Sequence, residues 1–257
     1  MTLAIGIIVF LTGLSIGSFL NVVILRIDNL QSILTERSQC PKCKKIINWY
    51  DLIPFLSFML LKAKCRFCNE KISWQYPIVE VGTAFLFLFL FLTLGLSWGL
   101  VFYVIVFSLL TVLFVYDLKT ETVPEVLVWI ALGLAVLGGW YYGHFGLSSM
   151  LLGALIGGGP LALLVYVSKE RWMGVGDIKI GLILGVLCGY PRSVVAMFSA
   201  FVIGSVVGII YLLLTDKKVS QKGLKKSLPF APFIILATLI GITYGDRILH
   251  WYLGFLS

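Results

Sequence analysis

Long uncharged runs separated by short polar segments dominate the pattern along the chain. The first run, Leu3 to Leu25, has 23 residues without a charged side chain. Val81 to Tyr116 and Val126 to Ser168 are each long enough for two helices, with turns predicted at 95–99 and 141–149. Because about 20 apolar residues cross a bilayer, these runs predict five membrane-spanning helices. Three further spans are predicted at 174–191, 193–215 and 228–253, the first of them short and partly charged.

The composition agrees with an all-α membrane protein of eight transmembrane helices. Of the 257 residues, 60% are hydrophobic and 12% are charged, whereas soluble domains average about 25% charged residues. This excludes a soluble globular protein and a disordered one. The first run is longer than the apolar region of a signal peptide, about 7–15 residues, and no small-residue cleavage site follows it, so we expect a retained span.

The distribution of the positive charge along the chain indicates the membrane topology. The formal net charge is +8, and with eight spans 18 of the 20 Lys and Arg residues fall in loops on one face. The excess of basic residues in cytoplasmic loops assigns that face to the cytoplasm, with both termini on the other side of the cell (inner) membrane. We therefore expect anionic membrane lipid, and no nucleic acid, as the partner of these charges. The chain divides into a first span (1–25), a cytoplasmic loop domain (26–76) and a seven-span domain (77–257).

Four of the five cysteines lie in that loop, as the C-x-x-C pairs Cys40/Cys43 and Cys65/Cys68. Two such pairs are typical of a four-thiolate zinc site. The alternatives are disulfides, which a reducing cytoplasm disfavours, or free thiols. Four thiolates leave no open position on the metal, so the predicted zinc is structural. Cys188 lies in an apolar run, and we expect it to be an ordinary packing residue.

Two acidic residues stand at the cytoplasmic ends of predicted spans. Asp117 ends the third span, and Asp177 opens the sixth within the sequence Gly174-Val175-Gly176-Asp177. Ionisable groups at such positions are functional candidates, although each alone also suits an interfacial helix cap. As a pair they predict an aspartic protease, in which two carboxyl groups share a proton, one activates water and the other polarises the scissile carbonyl. Gly174 and Gly176 are expected to form an active-site loop, because two glycines remove Cβ bulk and permit positive φ angles, so that another backbone can pass close to the carboxylate.

Two neighbouring features have simpler interpretations. Glu121 and Glu125 follow Asp117 at four-residue steps, but Pro124 interrupts the helical pattern, so both are interpreted as loop acids. The glycine run 157–159 lies inside a predicted span and is interpreted as a helix-packing surface or a kink.

Further motifs accompany the two acids and the cysteines. They are Gly17-Ser18-Phe19-Leu20-Asn21-Val22-Val23, Trp49-Tyr50-Asp51, Ile53-Pro54, Tyr76-Pro77-Ile78-Val79-Glu80, Met173-Gly174-Val175-Gly176-Asp177-Ile178-Lys179 and Leu228-Pro229-Phe230-Ala231-Pro232-Phe233. Over most of the chain this set resembles the type IV prepilin peptidases, the membrane aspartic proteases of pilus assembly, secretion and competence systems. Departures from the family pattern are Leu52, Lys62-Ala63-Lys64, Glu125 and Ala231.

The resemblance implies that Asp117 and Asp177 are catalytic. It implies cleavage of prepilin or pseudopilin substrates after a glycine, on the cytoplasmic side of the membrane. It also implies N-methylation of the new N-terminus with S-adenosylmethionine, an activity associated with the cysteine loop. The sequence assigns no residues to the binding of that cofactor.

Two other functions fit part of the pattern. A secondary transporter also uses membrane acids and glycine-interrupted helices, but it does not account for the cysteine loop. A non-catalytic assembly scaffold would use the cysteine loop to dock partners and would not require either aspartate.

Overall fold

A computed structural model describes residues 2–142, 146–214 and 229–255, apart from the side chains of Leu30 and Leu34. The expected turn residue His144, the basic segment 215–227 and Leu228 of the last motif lie outside the described residues. The described chain is helical, with two isolated β-bridges and one 3₁₀ helix, Trp49–Leu52. The α-helices are α1 (Thr2–Arg26), α2 (Leu30–Thr35), α3 (Leu56–Leu60), α4 (Gln75–Leu94), α5 (Trp98–Thr120), α6 (Glu125–Tyr141), α7 (Leu147–Ser168), α8 (Val175–Cys188), α9 (Arg192–Leu214) and α10 (Ala231–Gly254).

Six of these helices, α1, α4, α5, α7, α9 and α10, are long and apolar enough to cross a membrane. The protein is therefore an all-α, multi-pass membrane protein. The other two predicted spans are also helices but are shorter, with 17 residues in α6 and 14 in α8. At 1.5 Å per residue α8 is about 21 Å long, less than the roughly 30 Å of a hydrocarbon core.

The chain forms two compact units, Met1–Val112 and Leu113–Ser257, and the boundary between them falls within α5. The division at residues 25 and 76 stays a prediction. In the N-terminal unit α1 packs along α4. A Cβ atom on Gly13 would lie 2.6 Å from the Cα atom of Ala84, and one on Gly17 would lie 2.7 Å from that of Glu80. The two backbones therefore touch along a stripe without side chains, which is how apolar helices associate in lipid.

In the C-terminal unit α8 is the central helix. It packs against α6, α7, α9 and α10, and its residues from Ile183 to Cys188 are buried. Glycines on α7 and α8 face each other, and a Cβ atom on Gly157 would overlap the carbonyl oxygen of Gly181. The interpretation of the 157–159 run as a packing surface is thus confirmed for Gly157. Because neighbouring helices cover α8, its apolar residues are buried by protein although the helix is short.

One helix start differs from the prediction. The second span was expected to begin at Val81, but α4 begins at Gln75, with Pro77 in its first turn, where a proline is tolerated. Glu80 therefore lies inside the helix rather than at its start, and only 6% of it is exposed.

Candidate active site

Asp117 lies in the last turn of α5, which ends at Thr120. It is 4% exposed, and its Oδ2 atom has no hydrogen-bond partner within the described part of the chain. The helix ends because Glu121 takes a left-handed backbone, with φ at 55°, and Pro124 follows. A buried carboxyl oxygen without a partner is a group that water, substrate or a second carboxyl group can satisfy.

Asp177 lies in the first turn of α8. Its Oδ2 atom accepts a hydrogen bond from the backbone N–H of Gly174 at 3.2 Å. The backbone N–H of Ala231, the first residue of α10, also hydrogen-bonds to the Asp177 carboxyl group. Two helix N-termini therefore point at this carboxylate, and the partial positive charge of each stabilises its negative charge.

The fold brings the two aspartates together within the C-terminal unit. The carboxyl group of Asp177 lies close enough to that of Asp117 to act on it electrostatically, and Glu121 acts on Asp117 in the same way. Asp117 is thus held in acidic surroundings near the C-terminal end of one helix, while Asp177 is surrounded by N–H donors. Because each negative charge opposes the other, this arrangement disfavours ionisation of both carboxyl groups at once.

The glycines before Asp177 matter here for the side chains that they lack. Gly174 precedes α8 with φ at −88°, and Gly176 lies within the first helical turn. Neither has a positive φ angle, so the left-handed conformation that glycine permits is not used here. Gly176 instead makes room for a neighbour, because a Cβ atom there would lie 2.8 Å from Cγ2 of Val123. The segment between α5 and α6 therefore packs directly on the turn that carries Asp177.

An ion pair near the aspartates was not anticipated from the sequence. Lys179 in α8 pairs with Glu125, which begins α6 and is not a loop acid as predicted. This contact ties the start of α6 to the first turn of α8. The spacing of the two residues along the chain contains no signal for the pair, which only the packing of α6 on α8 creates.

The cysteine loop in the N-terminal unit brings its four thiols together. The Sγ atoms of Cys40, Cys43, Cys65 and Cys68 all lie within 4.8 Å of one another and could hold a metal ion. None of them forms a disulfide bond, and neither does Cys188. Cys188 is fully buried in α8, which confirms its expected packing role.

The two C-x-x-C segments fold in the same way. In the first, the N–H of Cys40 donates to the carbonyl of Lys45, and Lys44 has a positive φ of 58°. In the second, Cys65 donates to Glu70, and Asn69 has a φ of 55°. Each tight turn directs backbone N–H groups at its sulfurs, and the N–H of Cys43 is the main cause that lowers the pKa of the Cys40 thiol to about 7. The backbone N–H of Glu70 likewise favours the thiolate of Cys68, but burial and the other three thiols outweigh it and raise the pKa of Cys68 to about 11. The turns themselves thus favour the thiolate form that a metal requires.

An ion pair joins the two turns, since Lys42 of the first pairs with Glu70 of the second. The pair raises the pKa of Lys42 and lowers that of Glu70, because each charge stabilises the other. Both side chains are largely exposed, so the pair fixes orientation more than it adds stability.

Known proteins match this chain along most of its length. The model of the bacterial Peptidase A24 N-terminal domain matches residues 11–94, and that of the type IV leader peptidase family matches residues 104–213. A prepilin leader peptidase/N-methyltransferase of Bacillus subtilis (strain 168) is 33% identical over 96% of this chain and 97% of its own length. A protein of the same name from Myxococcus xanthus (strain DK1622) is 35% identical over 82% of this chain and 64% of its own length. Another from Aeromonas salmonicida (strain A449) is 31% identical over 96% of this chain and 93% of its own length. No solved structure matches the chain.

Proposed function

This chain belongs to the type IV leader peptidase family, and on that premise we propose that it removes the leader from prepilins or pseudopilins and then methylates the new N-terminus. The relatives that it resembles over nearly their whole length carry both activities in their names. The membrane helices agree with a substrate that is itself held in the bilayer by an apolar segment.

The observation that carries the peptidase proposal is the meeting of Asp117 and Asp177 in the C-terminal unit. We assign Asp177 as the charged member, because two helix N-termini donate to it. Asp117, buried and next to two other acids, is the member that carries the proton. Asp177 takes a proton from water, whose oxygen attacks the scissile carbonyl carbon, while Asp117 donates a hydrogen bond to the carbonyl oxygen. The carbon–nitrogen bond then breaks, and the leaving amine receives the proton that Asp177 took from water.

The finer topology is part of the proposal. We propose eight spans, with α6 and α8 crossing the bilayer inside the helix bundle. The basic loops then face the cytoplasm, which puts the cysteine loop and both aspartates on that side of the cell membrane. The prepilin enters laterally, with its apolar helix between spans and its cleavage site at the boundary.

We propose structural zinc as the metal of the cysteine cluster. Four sulfurs at about 2.3 Å from a tetrahedral zinc ion stand about 3.8 Å from one another, and the Sγ atoms of Cys40 and Cys68 are 3.8 Å apart. A disulfide would require about 2.05 Å. A small loop with little core of its own gains folding free energy from such an ion.

The methylation reaction uses S-adenosylmethionine as the methyl donor. The lone pair of the unprotonated N-terminal amine attacks the methyl carbon, the carbon–sulfur bond breaks, and the nitrogen then loses one proton. S-adenosylhomocysteine is the other product. The chain therefore has to hold a positively charged sulfonium compound in addition to the peptide.

A transporter that uses the same two aspartates is not favoured, because the matched family and the named relatives are leader peptidases. The assembly scaffold is disfavoured for the same reason.

Purified protein mixed with a candidate prepilin in detergent tests both activities. Mass analysis of the new N-terminus should show loss of the leader and, when S-adenosylmethionine is added, the mass increment of one methyl group. Intact prepilin after incubation with the wild-type chain would contradict the peptidase proposal, whereas normal cleavage by Asp117→Asn would contradict the role assigned to Asp117. Cleavage without the methyl increment would contradict methylation alone.

A further inference from the structure

The N-terminal unit contains a cavity of about 490 Å³ that the peptidase proposal does not use. Its walls come from the second half of α1, the cysteine loop and the first turns of α4, and all of its lining residues lie between Ser18 and Glu80. Cavities of about 300–1,000 Å³ with apolar walls and a few convergent polar groups are typical of cofactor sites. Four of the lining side chains are aromatic and suit the planar ring system of a nucleoside: Phe19, Phe58, Phe67 and Tyr76.

Glu80 is the unusual group in this cavity. It lines the cavity and is 6% exposed. Its Oε2 atom accepts a hydrogen bond from the backbone N–H of Phe55 at 2.8 Å, and Ser18 also hydrogen-bonds to the carboxyl group. Within the described residues no Lys or Arg forms an ion pair with Glu80. A buried carboxylate that is hydrogen-bonded but lacks a counter-ion is costly, and a cationic ligand removes that cost.

The second carboxylate of the cavity differs in this respect. Asp51 also lines it, but the guanidinium of Arg66 holds both of its oxygens, with contacts of 2.6 and 2.9 Å. The charge of Asp51 is therefore already neutralised. Glu70, the third carboxylate of the lining, pairs with Lys42, so Glu80 is left as the carboxylate available to a cation.

Phe55, the residue whose N–H group donates to Glu80, has an unfavourable backbone conformation. Phe55 has φ at 60° and ψ at −47°, outside the regions that non-glycine residues normally occupy. A conformation of this kind costs about 1–3 kcal/mol and persists where surrounding contacts fix it, often at functional sites. Here the hydrogen bond from the Phe55 N–H to Glu80 is such a contact, and it fixes the orientation of the carboxylate.

We propose that this cavity binds S-adenosylmethionine and that Glu80 faces one of the two cationic groups of that molecule, the sulfonium or the amino group. The inference rests on the proposed N-methyltransferase function and adds the site to it. The aromatic walls contact the adenosine part, and the unpaired carboxylate supplies the complementary charge.

Equilibrium dialysis of radiolabelled S-adenosylmethionine against the full-length protein in detergent tests the proposal. Glu80→Gln keeps the shape of the side chain and removes its charge, and we expect it to weaken binding by at least roughly tenfold. Glu36→Gln is the matched control, because Glu36 is exposed and does not line the cavity. It should bind within about twofold of the wild type. Repeating the dialysis with S-adenosylhomocysteine, which lacks the sulfonium charge, shows which group Glu80 faces.

A second pair of variants covers the case in which Glu80→Gln does not fold, as judged by thermal unfolding. Val22→Phe fills the cavity from α1, whereas Val23→Phe adds the same bulk at the next position, which does not line it. We expect Val22→Phe alone to lose binding. Wild-type affinity in folded Glu80→Gln, or equal affinity in the two phenylalanine variants, overturns the proposal.

The outcomes separate this inference from the proposed function. If the wild type methylates cleaved prepilin and Glu80→Gln binds normally, only the assignment of the cavity fails. If the wild type binds no S-adenosylmethionine, the assignment fails together with the methyltransferase, while prepilin cleavage still reports on the peptidase.

Discussion

Replacing Gly157 by alanine should slow prepilin cleavage without touching either aspartate. The added Cβ atom would overlap the carbonyl oxygen of Gly181 and would lie 2.9 Å from the amide nitrogen of Gly185. Backbone atoms cannot rotate away from it as side chains can. To bring the contact with the Gly185 nitrogen to an ordinary separation of 3.4 Å, the two helices have to move apart by about 0.5 Å. The overlap with the carbonyl oxygen of Gly181 requires a larger movement.

That shift moves α8, and Asp177 lies in the first turn of α8. A misplacement of about 1 Å in a catalytic group can cost roughly 100-fold in rate, so we expect kcat to fall by about that factor. Overpacking of this kind also costs about 1–3 kcal/mol in stability. At about 2–4 °C per kcal/mol the protein should remain folded at the assay temperature but melt earlier.

Gly133→Ala in α6 is the matched control. Among the described residues, no heavy atom outside its chain neighbours and the backbone of its own helix lies within 4 Å of the position that its Cβ atom would take. Alanine also has a higher helix propensity than glycine by about 1 kcal/mol. It should cleave normally and melt no earlier than the wild type. Time courses of cleavage at saturating prepilin, with thermal unfolding of the same samples, make the comparison. Cleavage by Gly157→Ala within about twofold of the control would refute the idea that close α7–α8 packing positions Asp177.

Three other changes test the remaining parts of the proposal. Asp117→Asn and Asp177→Asn should each lower cleavage by about 10²–10⁴-fold or more, because one carboxyl group cannot serve as both acid and base; a variant that processes prepilin normally removes that residue from the mechanism. Cys40→Ser should contain less zinc than the wild type, as measured by elemental analysis, and should melt at a lower temperature. Cys188→Ser should keep its zinc, and equal metal content in the two variants would contradict the four-thiolate site. Asn21→Ala should lower stability by about 1–3 kcal/mol in thermal unfolding, since its amide donates to a backbone carbonyl of α4 at 3.1 Å; an unchanged melting temperature would show that this bond contributes nothing.

The membrane helices could be predicted from the sequence because lipid imposes a strong local requirement. A run such as Leu3 to Leu25 has to be apolar throughout, and it is readable without knowing its neighbours. The same holds for the cysteine loop, where the two C-x-x-C turns are local and their four sulfurs converge as expected. Both features depend on residues that are close in sequence.

The contacts around Asp177 could not be predicted in this way, because they come from distant segments. The N–H of Ala231 arrives from a helix 54 residues further along the chain, and Val123 arrives from the connection before α6. The span predicted at 228–253 placed a helix in this part of the chain but did not indicate the carboxylate to which its start points. For Gly176 the sequence indicated that a missing side chain lets a neighbour approach, but not that this neighbour is Val123.

The positions of the two aspartates within their helices explain how identical side chains can take different roles. Near the lipid the dielectric is low, so partial charges at helix ends act more strongly than they do in water. Asp177 lies at the N-terminal end of α8 and faces that of α10, where unpaired N–H groups accumulate. Asp117 lies in the last turn of α5, where carbonyl groups accumulate and Glu121 follows. In the proposed mechanism, reversing these positions would place the proton on the other carboxyl group, so the helix ends would determine which aspartate activates water and which one polarises the peptide.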